Sequence, residues 1–295
     1  MRVASKTIYD TVKFNLANIT EELNKANKVV GTGRRIIGLS DDPVGLTQVL
    51  NIKSTLSGIE QLERNISMGK SWLIAAEGAL THVQNLISDA KALCVEMATS
   101  TTGAASRASA AEDIQGTFDE IVSLANTEVS GRYVFAGSKT DTAPFSQGGT
   151  YNGDSNAFKV KIGRDTTVEV GSDGGAVFQP SGAGANDDIF QTLSDLKDAL
   201  EGDNVSGIQV AMSKLDDHLD QISNKMSDIG SKMIRMEIKE KIFQDLSLTN
   251  TDRLSKIEDA DMAEAIIDLK SKELTYQAAL ASSARVMGLS LLDYL

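Results

Sequence analysis

Apolar residues return at alternating steps of three and four along several long stretches of this chain, and that spacing places them on one narrow edge of an α-helix. At the amino end the series is Tyr9, Val12, Leu16, Ile19, Leu23, Ala26 and Val30. The longest is Leu62, Ile66, Gly69, Leu73, Ala76, Leu80, Val83, Ile87, Ala90, Cys94 and Met97, with no proline inside it. Near the carboxyl end, Met262, Ile266, Leu269, Tyr276, Leu280, Met287 and Leu291 share a face through steps of three, four or seven. A period-2 strand would scatter each set over both faces of a sheet, so the chain is read as mainly α.

Punctuation divides the pattern. Gly31, Gly33 and Gly38 end the first series, and Ser40-Asp41-Asp42-Pro43 then supplies cap residues and a proline suited to a first helical turn. A second helix is predicted from about Val44 to Ala98. At 1.5 Å per residue it would run roughly 80 Å, whereas a compact domain of this length has a radius of gyration of about 19 Å, so an elongated molecule is expected. Thr99 to Ala105 is read as a reversal, and a third helical stretch follows on Ile114, Phe118, Ile121, Ala125 and Glu128 or Val129, forming an antiparallel hairpin with the second. From Gly131 the texture changes to strand period in Arg132–Phe135, Phe158–Ile162 and Thr166–Val170, separated by Gly, Asp, Asn and Ser clusters. This small β insertion is expected to end near Gly184. Helix resumes at Asp188 and continues through Ile208, Met212, Leu215, Leu219, Ile222, Met226 and Ile229, almost to the end of the chain.

Whether each terminal stripe packs on the other end of the same chain or on neighbouring molecules is left open by periodicity. Met1 to Gly33 carries five Lys/Arg against three Asp/Glu, a net +2, and Leu246 to Leu295 five against eight, a net −3, so the ends are weakly complementary. Ordering a terminal helix costs backbone entropy that seven apolar side chains on one partner helix offset only in part. We therefore expect the two terminal helices to pair and neighbouring subunits to complete the burial. A contact between unlike surfaces, repeated by a rotation that does not close, builds a helical polymer.

The remaining composition narrows the function. A net charge of −12 and the absence of any Lys/Arg run of five argue against nucleic-acid binding. No stretch approaches the roughly 18 apolar residues of a membrane span, and the amino end lacks the apolar run of a secretory leader. Cys94, the single cysteine, excludes an internal disulfide; on its apolar seam it is read as a buried structural thiol. His82 and His218, the only imidazoles, are read as surface or bundle-rim residues, and no catalytic or metal-ligand constellation surrounds either. Acid pairs such as Asp216-Asp217 read as solvated helix faces. Gly69-Lys70-Ser71 ends like a phosphate loop, but Arg64 stands where its first glycine belongs and the segment lies inside a helix. Gly31-Thr32-Gly33 and Gly182-Ala183-Gly184 are read as turns, and Asn18, Asn65 and Asn204, which match the glycosylation tripeptide, are given no role. No catalytic residue, cofactor or metal is expected.

Met1-Arg2-Val3, Gly33-Arg34-Arg35-Ile36 and Leu39-Ser40-Asp41-Asp42-Pro43 at one end, with Ile257-Glu258-Asp259-Ala260-Asp261-Met262-Ala263 at the other, resemble the two terminal motifs of the flagellin family. Gly33, Arg34, Ser40, Asp41, Asp42, Pro43, Asp259, Ala260 and Asp261 carry that likeness. Asn126-Thr127, Gly131–Gly137, Pro144-Phe145 and the ending Ser290–Leu295 resemble the branch of the family that joins hook to filament. The resemblance is weakest from Gln147 to Ala185, where only the strand pattern matches. It implies an elongated, flagellin-like helical bundle with paired terminal helices, a terminal core of residues 1–45 and 250–295, a helical rod of 46–145 and 186–249 with a β-hairpin, and a small β-rich surface domain at 146–185. It further implies a structural subunit of the bacterial flagellum, exported by the flagellar type III apparatus with a cytoplasmic chaperone. Such a subunit would form a ring of identical copies between another hook-associated protein and flagellin. A short flagellin forming the bulk filament is the alternative.

Overall fold

The computed structural model describes the backbone of residues 2–99, 102–185 and 187–292, and side chains within these except at 2–5, 8 and 286–292. The elements are α1 (Arg2–Thr32), α2 (Pro43–Met97), α3 (Ala104–Ala125), β1 (Glu128–Val129), β2 (Arg132–Tyr133), β3 (Lys159–Lys161), β4 (Thr167–Glu169), α4 (Gly174–Phe178), α5 (Ile189–Glu201), α6 (Val205–Glu258) and α7 (Met262–Leu292). The chain is mainly α, with two small antiparallel hairpins. Its contacts divide it into two units, Ile59–Gln244 and Met1–Gly58 with Asp245–Leu295, and both α2 and α6 contribute to each.

In the unit of residues 59–244, α2 and α6 run antiparallel. Lys70 pairs with Glu240 at 2.9 Å, Gln84 donates to Ser223 Oγ at 3.3 Å, and Lys91 pairs with Asp216. The α2 series predicted from spacing is buried from Ile66 to Met97, and α6 buries a strict seven-residue repeat, Ile208, Leu215, Ile222, Ile229, Met236 and Phe243. Met212, Leu219, Met226 and Met233 lie half-buried beside it, so α6 presents alternating three- and four-residue steps like those of a coiled coil. Gly69 belongs to this seam for a steric reason: a Cβ there would meet Met236 Cε at 2.7 Å and Val170 Cγ1 at 3.2 Å. Lys70 is held by Glu240, which raises its pKa, and the phosphate-loop likeness is thereby accounted for by helix packing.

The third helix ends at Ala125, and Glu128–Val129 is strand rather than helix. It pairs with Arg132–Tyr133 across a turn in which Ser130 (φ 54°) and Gly131 (φ 75°) both adopt the left-handed conformation that a two-residue hairpin needs. The expected strand 132–135 is therefore only its first two residues, with Ala136 bridging separately to Asp173. The close partner of α3 is α5: Gln115 accepts from Lys197 at 3.0 Å and Phe118 meets Phe190 with ring centroids 5.5 Å apart. At the tip of the unit, buried Arg107 donates to the carbonyls of Met97 and Thr99 at 2.9 Å each and pairs with Asp203 in the α5–α6 turn. One side chain thus closes the carbonyl end of α2 and ties two loops together.

β3 and β4 pair in register Lys159↔Glu169, Val160↔Val168 and Lys161↔Thr167, close to the predicted spans. The short helix α4, inside the segment read as a β insertion, is stapled by aromatic rings: Phe178 meets Phe135 and Phe145, which also stacks on Tyr151 and Phe190. Asp188 caps α5 by accepting from the Phe190 and Gln191 amides, and it also accepts from Gln179 Nε2 and Gly184 N. His218 corrects the rim reading. It is 2% exposed, and burial lowers its pKa. Its Nε2 shares a 3.0 Å hydrogen bond with Thr192 Oγ1, a hydroxyl that also reaches the Asp188 carbonyl at 3.0 Å. His82 is exposed, and Cys94 is buried with its thiol pKa pushed up to about 11 by desolvation.

The seam at Gly69 makes a graded prediction. Gly69→Ala displaces the flexible end of Met236, asks Val170 to give by a few tenths of an ångström and gains helix propensity, so it should cost less than about 1 kcal/mol, whereas Gly69→Ile should cost about 1–3 kcal/mol by overpacking. Urea unfolding of the two variants checks the order.

Candidate functional site: the joint of the chain ends

The terminal motifs meet within the unit of residues 1–58 and 245–295. Gly33 leaves α1 at φ 69°, a turn that suits glycine, and its amide donates to the Val29 carbonyl at 2.8 Å. Beyond it, Arg34 bridges antiparallel to Asp259: the Arg35 amide donates to the Glu258 carbonyl at 2.7 Å and the Ala260 amide to the Gly33 carbonyl at 2.9 Å. Two helix connections, far apart in sequence, thereby satisfy each other's backbone. Glu258 is the electrostatic centre of the joint. Only 5% exposed, it takes Arg34 Nε at 3.1 Å and Lys53 Nζ at 2.7 Å, while Arg35 reaches the Ile257 carbonyl at 3.0 Å.

Asp41, Asp42 and Asp261 accept from backbone amides, and Asp259 accepts from a side chain. Asp41 accepts from the Ile37 and Gly38 amides at 3.1 and 3.0 Å and pairs with Lys25 at 2.7 Å. The Lys25 contact, then the two amides, hold its carboxyl at about 2. Asp42 caps α2 through the Gly45 amide at 2.8 Å, ahead of Pro43 at the first helical position, and Gly45 sits against Ile36 where a side chain would collide. Asp261 caps α7 through the amides of Ala263 and Glu264, and Asp259 Oδ2 accepts from Ser255 Oγ at 2.5 Å. Ser40 is exposed in the turn before α2.

From the joint, α1 and α7 run antiparallel, with Lys272 donating to Glu22 at 2.7 Å. On α1 the predicted stripe faces inward: Val12, Leu16, Ile19, Leu23 and Val30 are half-buried and Ala26 is fully buried, but Tyr9 is 52% exposed. On α7 the half-buried face is Ala265, Leu269, Lys272, Glu273, Tyr276, Ala279 and Ser283. Leu269 and Tyr276 of the predicted stripe join it. Met262, Ile266 and Leu280 are at least 40% exposed, flanked by Ile267 and Leu274 at about 70%. The side chains of Met287 and Leu291 lie outside those described. The helix pair thus buries one edge of α7 and leaves a second apolar edge open.

Glu258, Lys53 and Arg35 were not singled out from the sequence as site residues. The signal available was the Arg34-Arg35 doublet set against the acid-rich 258–261, opposite charges in two segments whose motifs were already noted. Among the described residues no group of three His, Cys, Asp or Glu is placed to hold a metal ion, and no helix is long and apolar enough to cross a membrane.

Profiles of the bacterial flagellin N-terminal helical region and C-terminal helical region match residues 3–140 and 212–295, together well over half of the chain, which belongs to the flagellin family. Flagellar hook-associated protein 3 of Escherichia coli strain K12 is 26% identical over 99% of this chain and 98% of its own length. Flagellin of Bacillus subtilis strain 168 is 25% identical over 87% of this chain and 86% of its own. In a solved structure, flagellar hook associated protein-3 from Legionella pneumophila shares the fold with a TM-score of 0.62 at 18% identity, covering 71% of this chain and all but a fiftieth of that one, at 98%.

The joint makes two predictions. Because the Asp41 carboxyl titrates lower in the folded chain than its ordinary 3.8, its contribution to stability is complete above 3.8 and is lost as pH falls towards about 2. Asp41→Asn should flatten that part of an acid-unfolding profile followed by circular dichroism. Glu258→Ala removes a buried acceptor of two cations and should cost about 1.5–3 kcal/mol, measured by denaturant unfolding.

Proposed function

We propose that this chain is a structural subunit of the bacterial flagellum that joins the hook, through another hook-associated protein, to the flagellin filament. The observation that carries the reading is the alignment with hook-associated protein 3 over nearly the full length of both chains. The segment that resembles the junction branch also has a structural task in this chain. Asn126 brackets Phe145, donating to its carbonyl and accepting from its amide, both at 2.9 Å, and Phe145 anchors the aromatic cluster. The open apolar edge of α7 supports assembly by helix packing, with no catalytic step.

In this reading Tyr9, Val12, Leu16, Ile19, Leu23, Ala26 and Val30, with Met262, Ile266, Leu269, Tyr276, Leu280, Met287 and Leu291, form the assembly interface. Residues 1–45 and 250–295 act as the terminal core, 46–145 and 186–249 as the rod, and 146–185 as the surface domain. Identical copies form a ring outside the cell, after export by the flagellar type III apparatus with the help of a cytoplasmic chaperone. The likeness to Bacillus subtilis flagellin favours a second reading, a short flagellin of the bulk filament.

Deleting the gene should leave hooks without filaments, and quantifying the protein in sheared appendages separates the two readings, since a bulk flagellin would dominate them. Leu280→Asp, on the open edge, should abolish incorporation while leaving the circular dichroism of the monomer unchanged; Leu23→Asp should abolish incorporation and also loosen α1. Normal filament growth on hooks of the Leu280→Asp strain would refute the assembly interface.

A further inference from the structure

Asn152-Gly153 is the one Asn-Gly pair in the chain, and its surroundings combine chemical lability with structural leverage. Asn152 is exposed and lies outside helix and strand. Its backbone amide is firmly held by the Pro144 carbonyl at 2.7 Å, but its side-chain amide makes only a long 3.4 Å contact to the Thr150 carbonyl. Among the described residues no hydrogen bond engages the Gly153 amide, the atom that would attack. Nor can the pair be relieved at Gly153: a Cβ there would lie 2.3 Å from Tyr151 Oη and 2.4 Å from its Cζ, so the fold demands glycine, the residue that hinders cyclisation least.

We propose that Asn152 is a site of spontaneous intramolecular deamidation that opens the clasp around Tyr151. The Gly153 nitrogen, losing its proton to solvent, forms a bond to Asn152 Cγ. The Cγ–Nδ2 bond breaks, and ammonia leaves with a proton from water. Water then opens the resulting succinimide at either carbonyl, giving aspartate or isoaspartate. No oxidant or reductant takes part. Either product places a new carboxylate two residues from Asp154, whose side chain already accepts from Ser138 N at 2.7 Å, Ser138 Oγ at 2.5 Å and Asn156 N at 3.2 Å.

Isoaspartate acts further, because it routes the main chain through Cβ and lengthens it between Tyr151 and Asp154. Tyr151 Oη donates to the Asp154 carbonyl at 2.9 Å, with the Phe135 carbonyl at 3.3 Å. Its ring packs on Phe145 and covers Gly174 and Gly175 at the start of α4. Lengthening that short link pulls the hydroxyl off its acceptor and frees the ring that closes this side of the aromatic cluster.

The test is to hold the purified full chain at mildly alkaline pH in heavy-oxygen water and map the peptide Thr140–Lys159 by mass spectrometry with fragmentation that separates the two isomers. Asn152 should gain heavy oxygen as aspartate and isoaspartate several-fold faster than Asn156 in the same peptide, and Asn152→Gln should abolish the gain. The aged wild-type chain should then be cut by protease within residues 146–185 several-fold faster than the aged Asn152→Gln chain. An Asn152 that keeps its amide, or that converts no faster than Asn156, overturns the site. Conversion with unchanged cleavage overturns the opening of the clasp.

Discussion

Two long antiparallel helices can bury a common seam only if their apolar repeats stay in phase over many turns, and in the unit of residues 59–244 this condition organises everything else. The seven-residue repeat of α6 meets the three-and-four spacing of α2, and polar contacts between Lys70 and Glu240, Gln84 and Ser223, and Lys91 and Asp216 mark a single register along it. Such surface pairs contribute little energy, so the apolar seam supplies most of the stability. Gly69 lets Met236 and Val170 approach α2, which seats the β3–β4 hairpin on the helix pair. Arg107 and Asp188 then finish the ends, each by satisfying backbone groups that the helices and loops leave over.

The unit made from the two chain ends follows a different logic. Its helix pair is only half-covered, and its best-ordered chemistry lies at the joint, where Glu258 draws Arg34 and Lys53 together and two backbone hydrogen bonds cross between connections more than two hundred residues apart in sequence. A buried carboxylate costs desolvation unless it is matched by cations and donors, and here two half-exposed cations supply them. The consequence is that the chain holds its ends together while leaving an apolar edge of α7 open. A subunit that polymerises through its termini needs both properties: ends that find each other, and ends that still have a surface to bury.

Much of this was legible in order along the chain. Alternating three- and four-residue steps marked α1, α2 and α6, and cap residues marked where α2 begins, because helix periodicity and capping are local. The short pieces were less legible. Glu128–Val129 continued the spacing of α3, yet Ser130-Gly131 in the left-handed region turned it into a hairpin strand. The helix α4 carries a glycine-rich sequence of low intrinsic helicity and forms because Phe178 finds Phe135 and Phe145, a contact no local pattern announces. His218 was misread for the same reason: its partner Thr192 belongs to another helix.

By itself the sequence determined which stretches are helical, which edge of each is apolar, and that the two ends carry matching family motifs, since all of these depend on near neighbours in the chain. Only the tertiary structure decided which edge of α7 is spent inside the molecule. Leu269 and Tyr276 turn towards α1, while Met262, Ile266 and Leu280 remain open, because the joint at Gly33 and Glu258 sets how the two helices are rotated against each other. Rotation about a helix axis depends on where distant segments meet, and periodicity leaves that quantity undefined.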